Sequence, residues 1–289
     1  MYSIRNNSIS ISVNPVGAEL SSLKNEKNGL NYLWKGDPQF WAKHSPVLFP
    51  IVGMLKQGKY SFKGNWYQLP RHGFAREATF TLVSQKEDEL VFQLTSSEQT
   101  KKWYPFDFSL KLKYQLQDSK MTLTYEVENL GPEPMFFSLG AHPAFAVPLI
   151  EGTSYEDYDL IFEEVENSDR WLIADDGIID KTSVPCLNNT TVLHLKKELF
   201  AKDALVFKDL KSHRISLKSD KTPHGWHFDF DDFPFMGIWA AKNAPFVCIE
   251  PWCGIADSVL HNQDFESKEG IMKLEAGNHW TRNWSVSIF

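Results

Sequence analysis

The chain has 289 residues, of which 42% are hydrophobic and 23% charged, with a formal net charge of -7. This is a globular rather than a disordered composition, and the length is enough to bury a core without covalent staples. The negative balance argues against nucleic acid and acidic membrane surfaces as partners, since both demand a basic face.

Aromatic residues make up 14% of the chain, with ten Trp. Aromatics suit pleated, half-buried strands, and their flat faces also pack on sugar rings; composition alone favours the first reading. Cys186, Cys248 and Cys253 are too few, and odd in number, for a disulfide framework. Cys248 and Cys253 have no second pair to complete a zinc site. Met1 to Val13 is polar and alternating, unlike a signal peptide, and no run approaches the roughly 20 apolar residues of a membrane span. A cytoplasmic protein is expected.

Strand signals begin at Ser8 to Val13, where Ile alternates with Ser in the two-residue period of a half-buried strand. Tyr60 to Leu69, with Gly64-Asn65 between two aromatic-rich runs, predicts a hairpin. Ala78 to Ser84, Glu89 to Thr95, Phe108 to Leu116 and Met121 to Asn129 follow, separated by short polar turns. Further strands are expected at Met135 to Leu139, Asp159 to Phe162, Ala204 to Phe207, Arg214 to Lys218, Phe235 to Ala240 and Phe246 to Glu250. Trp280 to Phe289 reads as a closing strand. Short helices or turns are expected only at Asp37 to Lys43 and Asp264 to Lys268, and no segment sustains a 3.6-residue period. The pattern predicts an all-β protein, an antiparallel sandwich or barrel forming a single domain over residues 1–289.

Three segments offer chemistry. In Arg71-His72-Gly73-Phe74-Ala75-Arg76 a His stands at a strand-to-loop boundary, where functional groups concentrate, although a basic surface turn fits equally. In Gly140-Ala141-His142-Pro143 an apolar strand delivers a His among small residues, which leave room for a ligand; a buried His bonded to a carbonyl is the alternative. In Phe246 to Gly254 a buried-looking strand ends on Glu250, beside the apolar platform of Trp252. Glu is seldom buried unless paired or used, and burial would raise its pKa towards that of a general base. His224-Gly225-Trp226-His227 with Asp229, Asp231 and Asp232 could suggest a metal site, but a solvated loop is the favoured reading. Phosphate-binding loops, dinucleotide fingerprints and nucleophile elbows are missing.

Taken together, Ser45 to Pro50, Leu69 to Arg76, Gly140 to Pro143, Asp203 to Phe207 and Cys248 to Trp252, followed by Gly254, Asp257 and Lys268 to Ile271, resemble the aldose 1-epimerase superfamily and its LacX-like branch over nearly the full length. The resemblance implies a large antiparallel β-sandwich of the galactose mutarotase type, with no metal and no organic cofactor. It implies His142 as the acid at the ring oxygen, Glu250 as the base at the anomeric hydroxyl, His72 as a hydrogen-bonding partner near that oxygen and Asp203 as a binder of a sugar hydroxyl. Galactose mutarotases carry an Arg before the first His; the nearest basic groups here are Lys43, His44 and Lys56. The hexose-6-phosphate branch holds a phosphate with Arg residues, one of which matches Arg76, with Arg71 nearby, while a second, expected around Pro46, is missing. The implied partner is therefore a small sugar, either a free hexose or a sugar phosphate. A non-catalytic sugar-binding protein and a polysaccharide-active enzyme are the competing classes. Trp252 is a candidate for sugar stacking, Trp239 is read as core, and a monomer or simple homodimer is expected.

Overall fold

A computed structural model describes residues 1–289. Strands dominate because the chain alternates buried and exposed positions with period two. Lys120–Asn129 is the clearest case: Met121, Leu123, Tyr125 and Val127 point inward, and the intervening polar residues sit half-exposed. The main sheet has 15 strands. Its first half runs in the order Val47–Leu48, Leu139–Ala141, Phe246–Cys253, Phe235–Trp239, Leu205–Phe207 and Asp159–Ile173. It continues through Arg214–Ser219, Thr222–Asp229, His279–Ile288, Lys120–Asn129, Phe108–Gln117, Glu89–Thr95 and Thr81–Gln85. All these pairings are antiparallel, and the fold is the expected large antiparallel β-sandwich. No helix is long and apolar enough to cross a membrane.

One hydrophobic cluster reaches from Ile4 to Ile288. At its centre Trp284 stacks on Phe228 with ring centroids 5.0 Å apart. The Trp284 indole N–H donates to the Tyr125 hydroxyl at 3.0 Å. Burying each such ring contributes on the order of 2–3 kcal/mol, and the hydrogen bond removes the cost of hiding its polar edge.

Several expectations need correction. The hairpin turn is Lys63-Gly64, not Gly64-Asn65, because the strands are Lys59–Phe62 and Asn65–Gln68. Lys63 and Gly64 both take positive φ, 48° and 78°, as the favoured two-residue hairpin turn requires. Met135 to Leu139 splits at Ser138 into Met135–Phe137 and Leu139–Ala141, which join different sheets. The Asp159 strand runs on to Ile173 and pairs with a long strand, Ile179–His194, that was not expected. The stretch around His224 is a strand between two neighbours rather than a solvated loop. Its polar groups serve cross-strand pairs: His227 Nδ1 lies 2.7 Å from the Ser216 hydroxyl, and Arg214 Nε donates to Asp229 at 2.6 Å. The two expected short helices or turns are present: Asp37 to Lys43 forms a turn in which the Phe40 and Trp41 N–H groups both donate to the Asp37 carbonyl. Phe265–Ser267 is a 3₁₀ turn.

Candidate active site

Strand register brings the first two groups together. Gly140 pairs with Trp252 and Ala144 with Cys248. The same register, continued across the break at His142-Pro143, sets His142 opposite Glu250. The break frees the His142 side chain from the sheet, and its Nε2 lies 3.3 Å from Glu250 Oε1. Both side chains are largely buried, at 10% and 3% exposure.

Two glycines make room for Trp252. A Cβ on Gly140 would sit 2.6 Å from the Trp252 ring, and one on Gly237 would sit 2.4 Å from it. Trp252 therefore lies against bare backbone on both sides and borders a cavity of about 370 Å³. His72, His142, Glu250, Asp203, Arg71, Arg76 and Trp252 all line this one cavity. The structure thus collects every candidate residue, drawn from distant parts of the chain, into a single site.

His72 is held by backbone. Its own φ is 67°, and that of Gly73 is 72°. This left-handed pair turns the chain so that the Phe74 and Ala75 N–H groups both donate to the Phe49 carbonyl at 3.1 Å. The His72 N–H donates to the Gly53 carbonyl at 2.8 Å, while the Gly53 N–H donates to His72 Nδ1 at 3.1 Å. A ring nitrogen that accepts carries no proton, so the neutral ring has its N–H on Nε2. Gly73 cannot carry a side chain, since a Cβ would lie 2.2 Å from the Phe49 oxygen. Gly73→Ala is expected to destabilise the fold by roughly 2–4 kcal/mol, combining left-handed strain with overpacking. Urea unfolding checks this, and an unchanged midpoint would contradict it.

Burial sets the electrostatics. It lowers the His142 pKa to about 3, assisted by the nearby charges of Arg76 and Arg71. It raises the Glu250 carboxyl well above the usual range, against the opposing pull of Arg71. His72 is held well below 6.5 by burial and by His142, Arg76 and Arg71. The closest approach to a metal-ligand set is His142, Cys248 and Glu250, whose donor atoms lie within 4.8 Å of one another. Burial and the Glu250 charge push the Cys248 thiol up, so without a metal it packs as a neutral group.

Some lining residues escaped the sequence reading. Trp41 stacks on His142 with ring centroids 4.9 Å apart and planes 27° apart. Trp239, read as core, does both jobs: it packs on the core and lines the cavity, its ring centroid 5.6 Å from that of His142 with the planes nearly perpendicular. Lys202 adds a third cation to Arg71 and Arg76. The only sequence signal for Trp41 was an aromatic pair, Phe40-Trp41, inside an otherwise polar turn.

The family description for aldose 1-epimerase matches residues 1–273. The chain belongs to the aldose 1-epimerase family. It is 35% identical to the chromosomal LacX protein of Lactococcus lactis subsp. lactis, covering 99% of this chain and 98% of LacX. A galactose mutarotase related enzyme from Lactobacillus acidophilus superposes with a TM-score of 0.95 at 33% identity, covering 100% of this chain and 97% of its own. A galactose mutarotase-like protein from Lactobacillus casei gives 0.94 at 30% identity, covering all of both chains. The aldose 1-epimerase family acts on small sugars, and a cavity of this size and aromatic lining suits one.

Proposed function

We propose that the chain is an aldose 1-epimerase that interconverts the α and β anomers of a hexose or hexose derivative, with Glu250 as base, His142 as acid and His72 as a hydrogen-bond donor near the ring oxygen. Asp203 accepts from a sugar hydroxyl. The observation that carries this reading is the His142–Glu250 pair, 3.3 Å apart on the wall of an aromatic cavity.

The proton count supports it. Burial opposes charge on both groups, which favours a protonated Glu250 beside a neutral His142 in the empty site. Passing that proton across the contact gives a carboxylate and an imidazolium. Arg71 favours the carboxylate half of this state, because its charge pulls the Glu250 pKa down, and opposes the imidazolium half, because it lowers His142 as well. The carboxylate then takes the C1 hydroxyl proton, C1 becomes a carbonyl, the C1–O5 bond breaks, and O5 takes the imidazolium proton. The pair is now back in the protonation state of the empty site. Rotation about C1–C2 and reversal of both transfers close the ring on the other face. No proton is gained or lost over the cycle, so no outside acid or base is needed.

A phosphorylated hexose is the second reading. The specific observation is the cationic side of the cavity, Arg71, Arg76 and Lys202, in a chain of net negative charge. Arg76 Nε is buried without a hydrogen-bond partner, 3.9 Å from Glu77 Oε1, and guanidinium groups on a cavity wall suit an anion. Saturation-transfer NMR across free and 6-phosphorylated hexoses tests both readings. Accelerated anomer exchange for some sugar is expected. Binding without acceleration would replace the enzyme by a sugar-binding protein. Arg76→Ala is expected to raise KM for a 6-phosphate about 10–100-fold more than for the free sugar, the loss of one charged hydrogen bond. Equal effects on both would make Arg76 a support for the His72 loop.

A further inference from the structure

Asp257 and Lys268 are 1% and 3% exposed, and neither lines the cavity. Lys268 Nζ donates to Asp257 Oδ1 at 2.8 Å and to the Ile255 carbonyl at 2.5 Å. Asp257 Oδ2 accepts the Lys56 N–H at 2.8 Å, and the Asp257 N–H donates to the Met54 carbonyl at 2.8 Å. Lys56 returns the grip, its Nζ donating to the carbonyls of Val259 and His261 at 2.8 and 3.0 Å. A buried ion pair is a weak source of stability, because desolvating two charges offsets their attraction. What this pair secures is geometry: it binds the loop 53–56 to the segment 255–261.

That loop is the one that holds His72. Gly53 uses both of its backbone groups on His72, donating to Nδ1 and accepting from the His72 N–H. Gly53 itself has φ +70°, and a Cβ there would lie 2.4 Å from the Ala256 Cβ. The loop therefore lies directly on Ala256, next to Asp257, with only a methyl group between the two backbones and no flexible side chain to absorb a shift.

We infer that Asp257 and Lys268 are positioning residues for His72: their ion pair fixes the loop 53–56, and the loop fixes the His72 tautomer with its N–H on Nε2. If the loop drifts, the Gly53 N–H leaves Nδ1, the proton is free to move there, and Nε2 turns from donor to acceptor. The effect on turnover rests on the epimerase reading, whereas the effect on the His72 ring does not.

The test is long-range ¹H–¹⁵N NMR of the imidazole nitrogens, with His72 assigned by the signals lost in His72→Gln. Asp257→Asn is the first variant, since the Lys56 N–H and the Lys268 ammonium donate to different carboxylate oxygens, and an amide must turn its NH2 towards one of them. Asp257→Asn with Lys268→Met is the second; it removes both charges together and avoids an unpaired buried ion. In the parent, Nδ1 is expected to resonate as an unprotonated nitrogen and Nε2 as a protonated one. In both variants the two signals should move towards each other as tautomers mix. Turnover should fall at least about tenfold with KM little changed, as for a misplaced group. His72 signals that stay at their parental positions in a folded variant would overturn the proposal, whatever happens to melting temperature or rate. Should the single variant fail to fold, the double variant decides by the same signals. A parent that turns over no sugar, with variants whose His72 signals still converge, would refute the epimerase reading and uphold the positioning role.

Discussion

Glu250→Gln is expected to lower anomer exchange by about 10²–10⁴-fold, the range for a well-placed proton-transfer group. Gln keeps the volume and a carbonyl acceptor but cannot take the C1 hydroxyl proton. The same substitution should stabilise the protein at neutral pH. Burial raises the Glu250 carboxyl well above its ordinary 4.5. The native state therefore keeps this proton to higher pH than the unfolded chain does. Stability linked to this group is complete below about pH 4.5 and is lost as pH rises through the folded value. Gln has no proton to lose, so the variant avoids that loss, a trade of stability for activity seen at many active sites. Saturation-transfer NMR gives the rate and urea unfolding at neutral pH gives the stability. Retention of most turnover would remove Glu250 as the base.

His142→Asn should cost a similar factor in rate, about 10²–10⁴-fold, while the fold persists. It should also change the response to acid. The native His142 pKa is about 3 against an ordinary 6.5. Between those values the unfolded chain takes up a proton that the native state refuses. Stability from this group is thus complete above about pH 6.5 and lost as pH falls towards 3. Asn does not titrate, so melting temperatures of the variant should fall less steeply between about pH 7 and pH 4. His72 is lowered as well, so part of the parent's slope will remain. Identical slopes would place His142 in a more solvated setting than the one described here, and near-normal turnover would remove it as the acid.

What could be read in advance depended on how regular each segment is. Lys120–Asn129 and His279–Ile288 were legible because their inward positions keep strict alternation along most of their length. Ile179–His194 was not. It carries Pro185, Asn188 and Asn189, and its pairing with Asp159–Ile173 shifts register several times. Each shift moves side chains to the other face, which erases a period of two. The strand at Thr222–Asp229 was hidden by polar residues whose partners lie on neighbouring strands. In the cavity, His72 and His142 were legible because each sits in a break between strands among small or rigid residues, and Glu250 because it is a carboxylate in an otherwise apolar run, although the strand continues past it to Cys253 instead of ending there. Trp41 and Lys202 reach the cavity from loops, and their approach is decided by tertiary packing that no local pattern encodes.

The place of His279–Ile288 in the main sheet has a consequence for how the molecule is made. This strand follows all others in chain order, yet it lies in the interior of the sheet, between Thr222–Asp229 and Lys120–Asn129. It is the only link in the ladder between the half of the sheet around Leu139–Ala141 and Phe246–Cys253, where His142 and Glu250 sit, and the meander from Thr81 to Asn129. On the ribosome, both halves emerge before the piece that joins them. Until it arrives, each presents an open edge with unpaired backbone groups, the kind of surface on which chains aggregate. Pairings this distant in sequence also form slowly. Yield in the cell should therefore depend on how those two edges are shielded during synthesis, before the finished fold exists to cover them.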